Sequence, residues 1–216
     1  MSSRDNLMEI EMNMIYGNPS YEHITAVRDS LLVEEWKATG HLDLLCQVPY
    51  PCMATSRLEL LALVPVVNNV SPERLEHNLV VDEYLSEVWA AYARSYGVSV
   101  TGELLDAWVL PYTPIITYLK MQYNRPRPFQ LAGVYNIPLY PRVKVGSTES
   151  SYPNGHVLQS CWIAHKLSLL HPELSSDWWH FVLDIKAGRE ELGVHYASDG
   201  LFALQIYKAL KDLWKI

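Results

Sequence analysis

The chain has 216 residues, 49% hydrophobic and 19% charged, with 17 Lys and Arg against 24 Asp and Glu for a formal net charge of −7. A chain of this length forms one compact domain that buries roughly 70% of its extended surface, so it needs neither disulfides nor a structural metal. The acidic balance argues against a sequence-reading nucleic-acid binder, because a phosphate backbone seeks a positive surface; a small phosphate ester needs only a local cluster of cations.

The three cysteines, Cys46, Cys52 and Cys161, leave at least one thiol unpaired. No CxxC pair or Cys/His ladder accompanies them, so zinc is not expected and ordinary reduced thiols are. Seven Trp and fourteen Tyr suit either core packing or a ring-lined pocket. The opening residues MSSRDNLMEIEMNMIYGNPSYEH hold no continuous apolar signal-peptide core. The most apolar stretch, Leu58 to Val70, contains Glu59 and Pro65 and falls short of the about 20 residues of a bilayer span. A cytoplasmic location is the default expectation.

In chain order, Ile24, Val27, Leu31, Leu32 and Trp36 predict a helix over 22–39 that Gly40 stops. Residues 41–53 are Pro-rich and read as a loop. Residues 54–70 read as a buried helix with a kink or break at Pro65. Ser71-Pro72-Glu73 is a helix start, with a cap, a first-turn proline and an acid at the positive end. Leu75, Leu79, Leu85, Val88, Trp89 and Tyr92 extend that helix to about Ser95, before Gly97. Thr101 caps the next segment, whose buried stripe is Leu105, Trp108, Ile115, Ile116 and Leu119, with a bend at Pro111 and Pro114.

Asn124 to Pro128 cannot sustain a helix, since each proline restricts itself and its predecessor. Residues 129–153 read as a long irregular excursion. A helix begins at Asn154 and runs to Leu170, a short one follows from Pro172 through Val182, and a last one spans roughly Glu191 to Trp214. The expected fold is all-α: a helical bundle, one domain over 1–216, with a long irregular loop.

Three short segments carry chemistry. In Lys120-Met-Gln-Tyr-Asn-Arg-Pro-Arg127-Pro128, the lysine and arginine are two helical turns apart and are read as sharing a face. In Pro153-Asn154-Gly155-His156, Asn154 caps a helix whose free amides suit an anion, and Gly155 permits close backbone approach. In Gly188-Arg189 through His195 to Asp199, His195 and Asp199 are four apart and are read as neighbours on one helix face, where a carboxylate on one ring nitrogen aims the other outward. Each segment alone has an ordinary structural explanation. Together they supply two imidazoles, an orienting acid and three cations, the parts of phosphoryl transfer through a protein nucleophile.

In these residues the chain resembles the superfamily of type 2 phosphatidic acid phosphatases, class A bacterial acid phosphatases and vanadium haloperoxidases. Its signature is Lys, six residues, Arg-Pro; then Pro-Ser-Gly-His; then Ser-Arg, five residues, His, three residues, Asp. The matching stretch covers residues 120–199, and the order is the same. The resemblance implies a helical core with the motifs converging at one end. It implies phosphate binding by Lys120, Arg127 and Arg189, and an amide from Gly155. His156 would be the general acid, His195 the nucleophile and Asp199 its orienter. Two positions depart: Asn154 and Gly188 stand where the family has serine, so the side-chain N–H of Asn154 is left to serve as phosphate donor and Arg189 loses a supporting hydroxyl.

The expected activity is therefore metal-independent and cofactor-free hydrolysis of small phosphomonoesters, nucleotides included, through a phosphohistidine, with phosphate or vanadate as site ligands. A nucleotide or lipid pyrophosphate hydrolase, a vanadate-dependent haloperoxidase using the same residues, and an inactive helical interaction protein are the alternatives. The tyrosines Tyr135, Tyr140 and Tyr152 of the excursion read as a wall on which a base or ring stacks, or as a plain surface loop.

Overall fold

The structure, a computed structural model, describes residues 21–48, 51–143 and 150–211. The opening stretch up to residue 20 read for targeting, part of the 129–153 excursion and the end of the last predicted helix lie outside these residues. The described residues form helices and turns, with no strand among them, as an all-α bundle requires. No helix among them is long and apolar enough to cross a membrane.

The helix expected over 22–39 is two, α1 (Tyr21–Arg28) and α2 (Leu31–Ala38). Ser30 splits it: its side chain accepts from Val33 N–H at 3.3 Å and starts a new helix. The 41–53 stretch, expected as a loop, holds α3 (His41–Cys46), which buries Leu42 and Leu45 ahead of the prolines at 49 and 51. Helix α4 (Met53–Asn68) runs through Pro65 and buries one face only, Ser56, Leu60, Leu63 and Val67. Leu58, Leu61 and Val66 are exposed, which corrects the expectation of a buried helix.

Ser71 caps α5 (Pro72–Glu83), accepting from Arg74 N–H at 3.2 Å. The chain breaks at Tyr84 before α6 (Leu85–Ser95), so the single helix expected there is also two. Thr101 caps α7 (Gly102–Val109), and the bend at the prolines is a 3-10 turn, Leu110–Tyr112, leading into α8 (Thr113–Tyr123). The excursion expected to be irregular opens with a helix, α9 (Pro128–Tyr135), with Pro128 at the first position, where its missing N–H costs nothing.

Helix α10 (Gly155–Leu170) is the axis of the bundle. Val157, Leu158, Cys161, Trp162, Ile163, Ala164 and Leu167 bury almost its whole circumference. It packs against α7, α8, α11 (Ser175–Glu191) and α12 (Ala197–Leu210). Helix α11 continues well past the Val182 end expected for it, and α12 starts six residues later than expected. Trp89, Trp162 and Trp178 are fully buried, and Trp89 donates to Ser160 Oγ at 3.1 Å, so these rings are core. Tyr152 is core too, stacked on Phe202 at 4.3 Å, whereas Tyr140 is exposed, so the proposed tyrosine wall does not form. All three cysteines are free. A second, smaller cluster joins Leu60, Leu63 and Val67 of α4 to Leu131, Ala132 and Tyr196, clamping α4 and α9 over the start of α12.

Candidate active site

The first motif is bent, not helical throughout. Helix α8 ends at Tyr123, and Asn124 takes the left-handed conformation (φ 41°) with its N–H on Lys120 O at 2.9 Å. Arg127 then caps α9, its own N–H held by Gln130 Oε1 at 2.6 Å. Lys120 and Arg127 therefore do not share a helix face; past the turn between them Lys120 lies at the start of α10 and Arg127 beside His195. Lys120 reaches Gly155 there: a Cβ on Gly155 would lie 4.0 Å from Lys120 Nζ. Leaving out that carbon keeps the backbone at 155 open beside an ammonium.

The second motif places Asn154 as the cap of α10. Its Oδ1 accepts from Val157 N–H at 3.2 Å, so in this chain its oxygen holds the helix start, the role a serine would also fill. Its backbone N–H donates to Asp199 O at 3.1 Å, which ties the second motif to the third. His156 is half-buried, with Nε2 at 3.2 Å from Asp82 O. A carbonyl only accepts, so Nε2 carries the hydrogen and Nδ1 is the nitrogen left for proton transfer.

The third motif is shaped by how α11 ends. Gly193 has φ 73°; its N–H donates to Glu190 O at 2.8 Å and Val194 N–H reaches Arg189 O at 3.4 Å. This paired closure needs a left-handed residue, which glycine adopts without strain. It reverses the chain so that Arg189, in the last turn of α11, and His195, just beyond it, serve one place. His195 and Asp199 do not lie on one helix face: His195 precedes α12, Tyr196 is its cap and Asp199 its third residue. The carboxylate folds back, and Asp199 Oδ2 accepts from Tyr196 N–H at 2.9 Å and from His195 Nδ1 at 3.0 Å. With Nδ1 donating, His195 Nε2 bears a lone pair. It lies 3.4 Å from Arg127 Nη1, which also donates to Val194 O at 3.1 Å.

The site is deeply buried. His195 is 1% exposed, Arg127 and Arg189 5%, and Asp199 0%. Burial, followed by the charges of Arg127, Arg189 and Lys120 and then His156, pulls the His195 pKa well below the usual imidazole range, so the ring is neutral. Burial, then Arg189, and more weakly Lys120 and Arg127 do the same to His156, against the Asp82 carbonyl. Both rings thus feel the same three cations, and the contacts of Gly155 with Lys120, Asn154 with Asp199 and Arg127 with His195 join the three motifs. Arg189 Nε is buried there with no hydrogen-bond partner, an N–H that an anion would satisfy. No group of three or more His, Cys, Asp or Glu among the described residues is placed to hold a metal ion.

Three groups at the site escaped the sequence reading. Asp82 holds Arg189 through Oδ1 to Nη1 and His156 through its carbonyl. The one sign of it in the sequence is an acid in the last turn of α5, where the helix dipole disfavours negative charge. Arg125 and Glu59 are the others. Arg125 donates to Asp199 Oδ1 at 2.6 Å and to Glu59 Oε2 at 2.8 Å. A lone carboxylate inside the apolar run of α4 was the sign of Glu59, because buried charges need partners.

Gly188 has a steric reason. A Cβ there would meet Asn78 Oδ1 at 2.6 Å, and Asn78 is 2% exposed with Nδ2 on Glu191 Oε2 at 2.7 Å. Asn78 thus fills the space a serine side chain would occupy. Gly188→Ala is expected to destabilise the fold by about 1–3 kcal/mol through overpacking. Thermal melts of Gly188→Ala, Asn78→Ala and the double variant are expected to be non-additive, the pair recovering much of that loss; an additive cycle would remove Asn78 as the reason for the glycine.

Neither the protein-family models nor the curated proteins compared with this chain match it.

Proposed function

We propose that this chain is a metal-independent phosphohydrolase that cleaves small phosphomonoesters through a phosphohistidine on Nε2 of His195. The resemblance of the three motifs to the type 2 phosphatidic acid phosphatase superfamily is part of this reading. The observation that carries it is a buried imidazole whose Nδ1 is held by Asp199 and whose Nε2, left without a hydrogen, lies 3.4 Å from Arg127 Nη1. A neutral ring among cations is poised to attack an anion and does not compete with them for it.

The reaction takes two steps. Nε2 of His195 attacks phosphorus and forms the P–N bond while the P–O bond to the alcohol breaks. His156 gives its Nδ1 proton to the departing oxygen. Water then attacks phosphorus, His156 takes the proton from it, the P–N bond breaks, and inorganic phosphate leaves with His195 neutral again. Lys120, Arg127, Arg189 and the Gly155 amide meet the charge on the non-bridging oxygens. In the free protein His156 is neutral; a dianionic phosphoryl group beside Arg189, Lys120 and Arg127 offsets their fields and lets His156 take up the proton it donates.

A cleft of about 410 Å³ supports monoesters over polyphosphates. His156 lines it together with Asp82, Glu83, Glu87 and Asp106. His156 is thus shared between the three cations and this cleft, where the leaving alcohol would lie. Carboxylates there repel a second negative charge. A panel of phosphate compounds assayed with chelator present is the test. The expected result is phosphate release from monoesters of neutral alcohols, slower release from nucleoside triphosphates, and inhibition by vanadate. Absence of release from every compound, or its loss on chelation, would overturn the reading.

A further inference from the structure

We propose that Arg125 and Glu59 are positioning residues for the His195–Asp199 pair, acting through Asp199 and the first turn of α12 and not on substrate. This rests on the phosphohydrolase reading only for its kinetic consequences; the geometry stands apart from it.

Arg125 is 0% exposed and has no surface to offer a ligand. Its Nη1 donates to Asp199 Oδ1 at 2.6 Å and to Ser198 Oγ at 2.6 Å. Its Nη2 donates to Glu59 Oε2 at 2.8 Å and to Ser56 Oγ at 3.0 Å. The guanidinium lies 3.9 Å from the Tyr196 ring centroid, which fixes its plane. Its backbone N–H is held by Ser150 Oγ at 2.9 Å. Glu59 does more than pair with it: Oε1 accepts from Ser198 N–H at 2.8 Å and Oε2 from Ser198 Oγ at 2.8 Å. That pins the residue next to Asp199 at the positive end of α12.

The two oxygens of Asp199 are divided between two tasks. Oδ2 faces the nucleophile's Nδ1 and the Tyr196 N–H, while Oδ1 is taken by Arg125. Fixing one oxygen fixes the carboxyl plane, and with it the ring and the tautomer that leaves Nε2 bare. Arg125 also keeps Asp199 ionised. Burial pushes the Asp199 pKa up to about 6 even with Arg125 present. A protonated Asp199 would no longer stabilise the positive charge that His195 acquires on attack.

The pH dependence has two opposite signs. The groups facing Asp199 are His195, Arg125 and Glu59, with Arg127 beyond the imidazole and the Tyr152 and Tyr196 rings beside Arg125. Arg125 favours the carboxylate and Glu59 opposes it. Removing the positive charge raises the Asp199 pKa; removing the negative one lowers it. In the wild-type protein kcat/KM is expected to fall below about pH 6. In Arg125→Gln that limb moves to higher pH, and in Glu59→Gln to lower pH.

The experiment measures kcat and KM against pH for a chromogenic phosphomonoester in wild type, Arg125→Gln, Arg125→Lys and Glu59→Gln. Nitrogen NMR of the His195 ring reads its tautomer in the same proteins. Arg125→Gln is expected to lower kcat about ten- to a hundredfold with KM little changed, to mix the ring tautomers and to be partly rescued by Arg125→Lys. Glu59 is partly exposed at α4, so Glu59→Gln provides the second, milder variant. Limbs that shift in the same direction, or a ring tautomer unmoved in both variants, would overturn the proposal. Should the wild-type chain show no hydrolysis while the tautomer responds to Arg125→Gln, the positioning role stands and the phosphohydrolase reading falls.

Discussion

His195→Ala is expected to lower phosphate release at least about 10⁴-fold, the loss seen when a residue that forms the covalent bond is removed from a unit that acts together. In the proposed mechanism the cradle is separate from the nucleophile: Lys120, Arg127, Arg189 and the Gly155 amide remain, so a phosphate ester is expected still to bind and the loss to fall on kcat. Inhibition by vanadate is expected to persist at a weaker level, because the cations stay and only the Nε2 contact is lost. A melt and a circular dichroism spectrum establish that the variant folds. His195→Gln, closer in volume, controls for the void left beside Asp199. In the wild type, rapid quench into base during turnover is expected to trap phosphate on His195, since a phosphoramidate survives base and not acid. Undiminished activity in folded His195→Ala would end the mechanism.

The parts of this fold visible in the sequence are those written in local chemistry. Ser71, Thr101 and Asn154 each cap the helix expected of them, because a cap is decided by a side chain and an N–H three residues on. Breaks at Ser30 and Tyr84 were hidden inside continuous apolar periodicity, which reports the buried face and not the continuity of the axis. Helix α9 was hidden by the prolines before and after it. It forms because Leu131 and Ala132 bury against α4, a contact between segments far apart in the chain.

The site shows the same division. The cations and imidazoles singled out by their spacing lie near one another, yet the geometry of two pairs differs from that expected: Lys120 with Arg127, and His195 with Asp199. In each, a left-handed residue, Asn124 or Gly193, ends a helix at the motif, and a turn does what a shared face was expected to do. The pairings of the supporting groups were out of reach. Arg125 and Glu59 are 66 residues apart and Asp82 and Arg189 are 107 apart, and no local rule links them.

His156→Ala separates the two halves of the mechanism. In the proposed mechanism the acid assists departure of the alcohol in the first step, and the same imidazole as base activates water in the second. A nitrophenyl ester leaves without a proton, so its first step is expected to survive the substitution, while breakdown of the phosphohistidine slows about 10²–10⁴-fold. The predicted signature is a burst of nitrophenol of one equivalent per active site followed by a slow steady state. Alkyl phosphates, which need the proton, give neither burst nor turnover. Asp82→Ala provides the contrast. It removes the carboxylate that pairs with Arg189 but keeps the backbone carbonyl that holds His156 Nε2. That variant is therefore expected to alter binding of the phosphoryl group and to leave the leaving-group dependence as in the wild type. Equal losses for nitrophenyl and alkyl esters in His156→Ala, with no burst, would show that this imidazole does not move the proton.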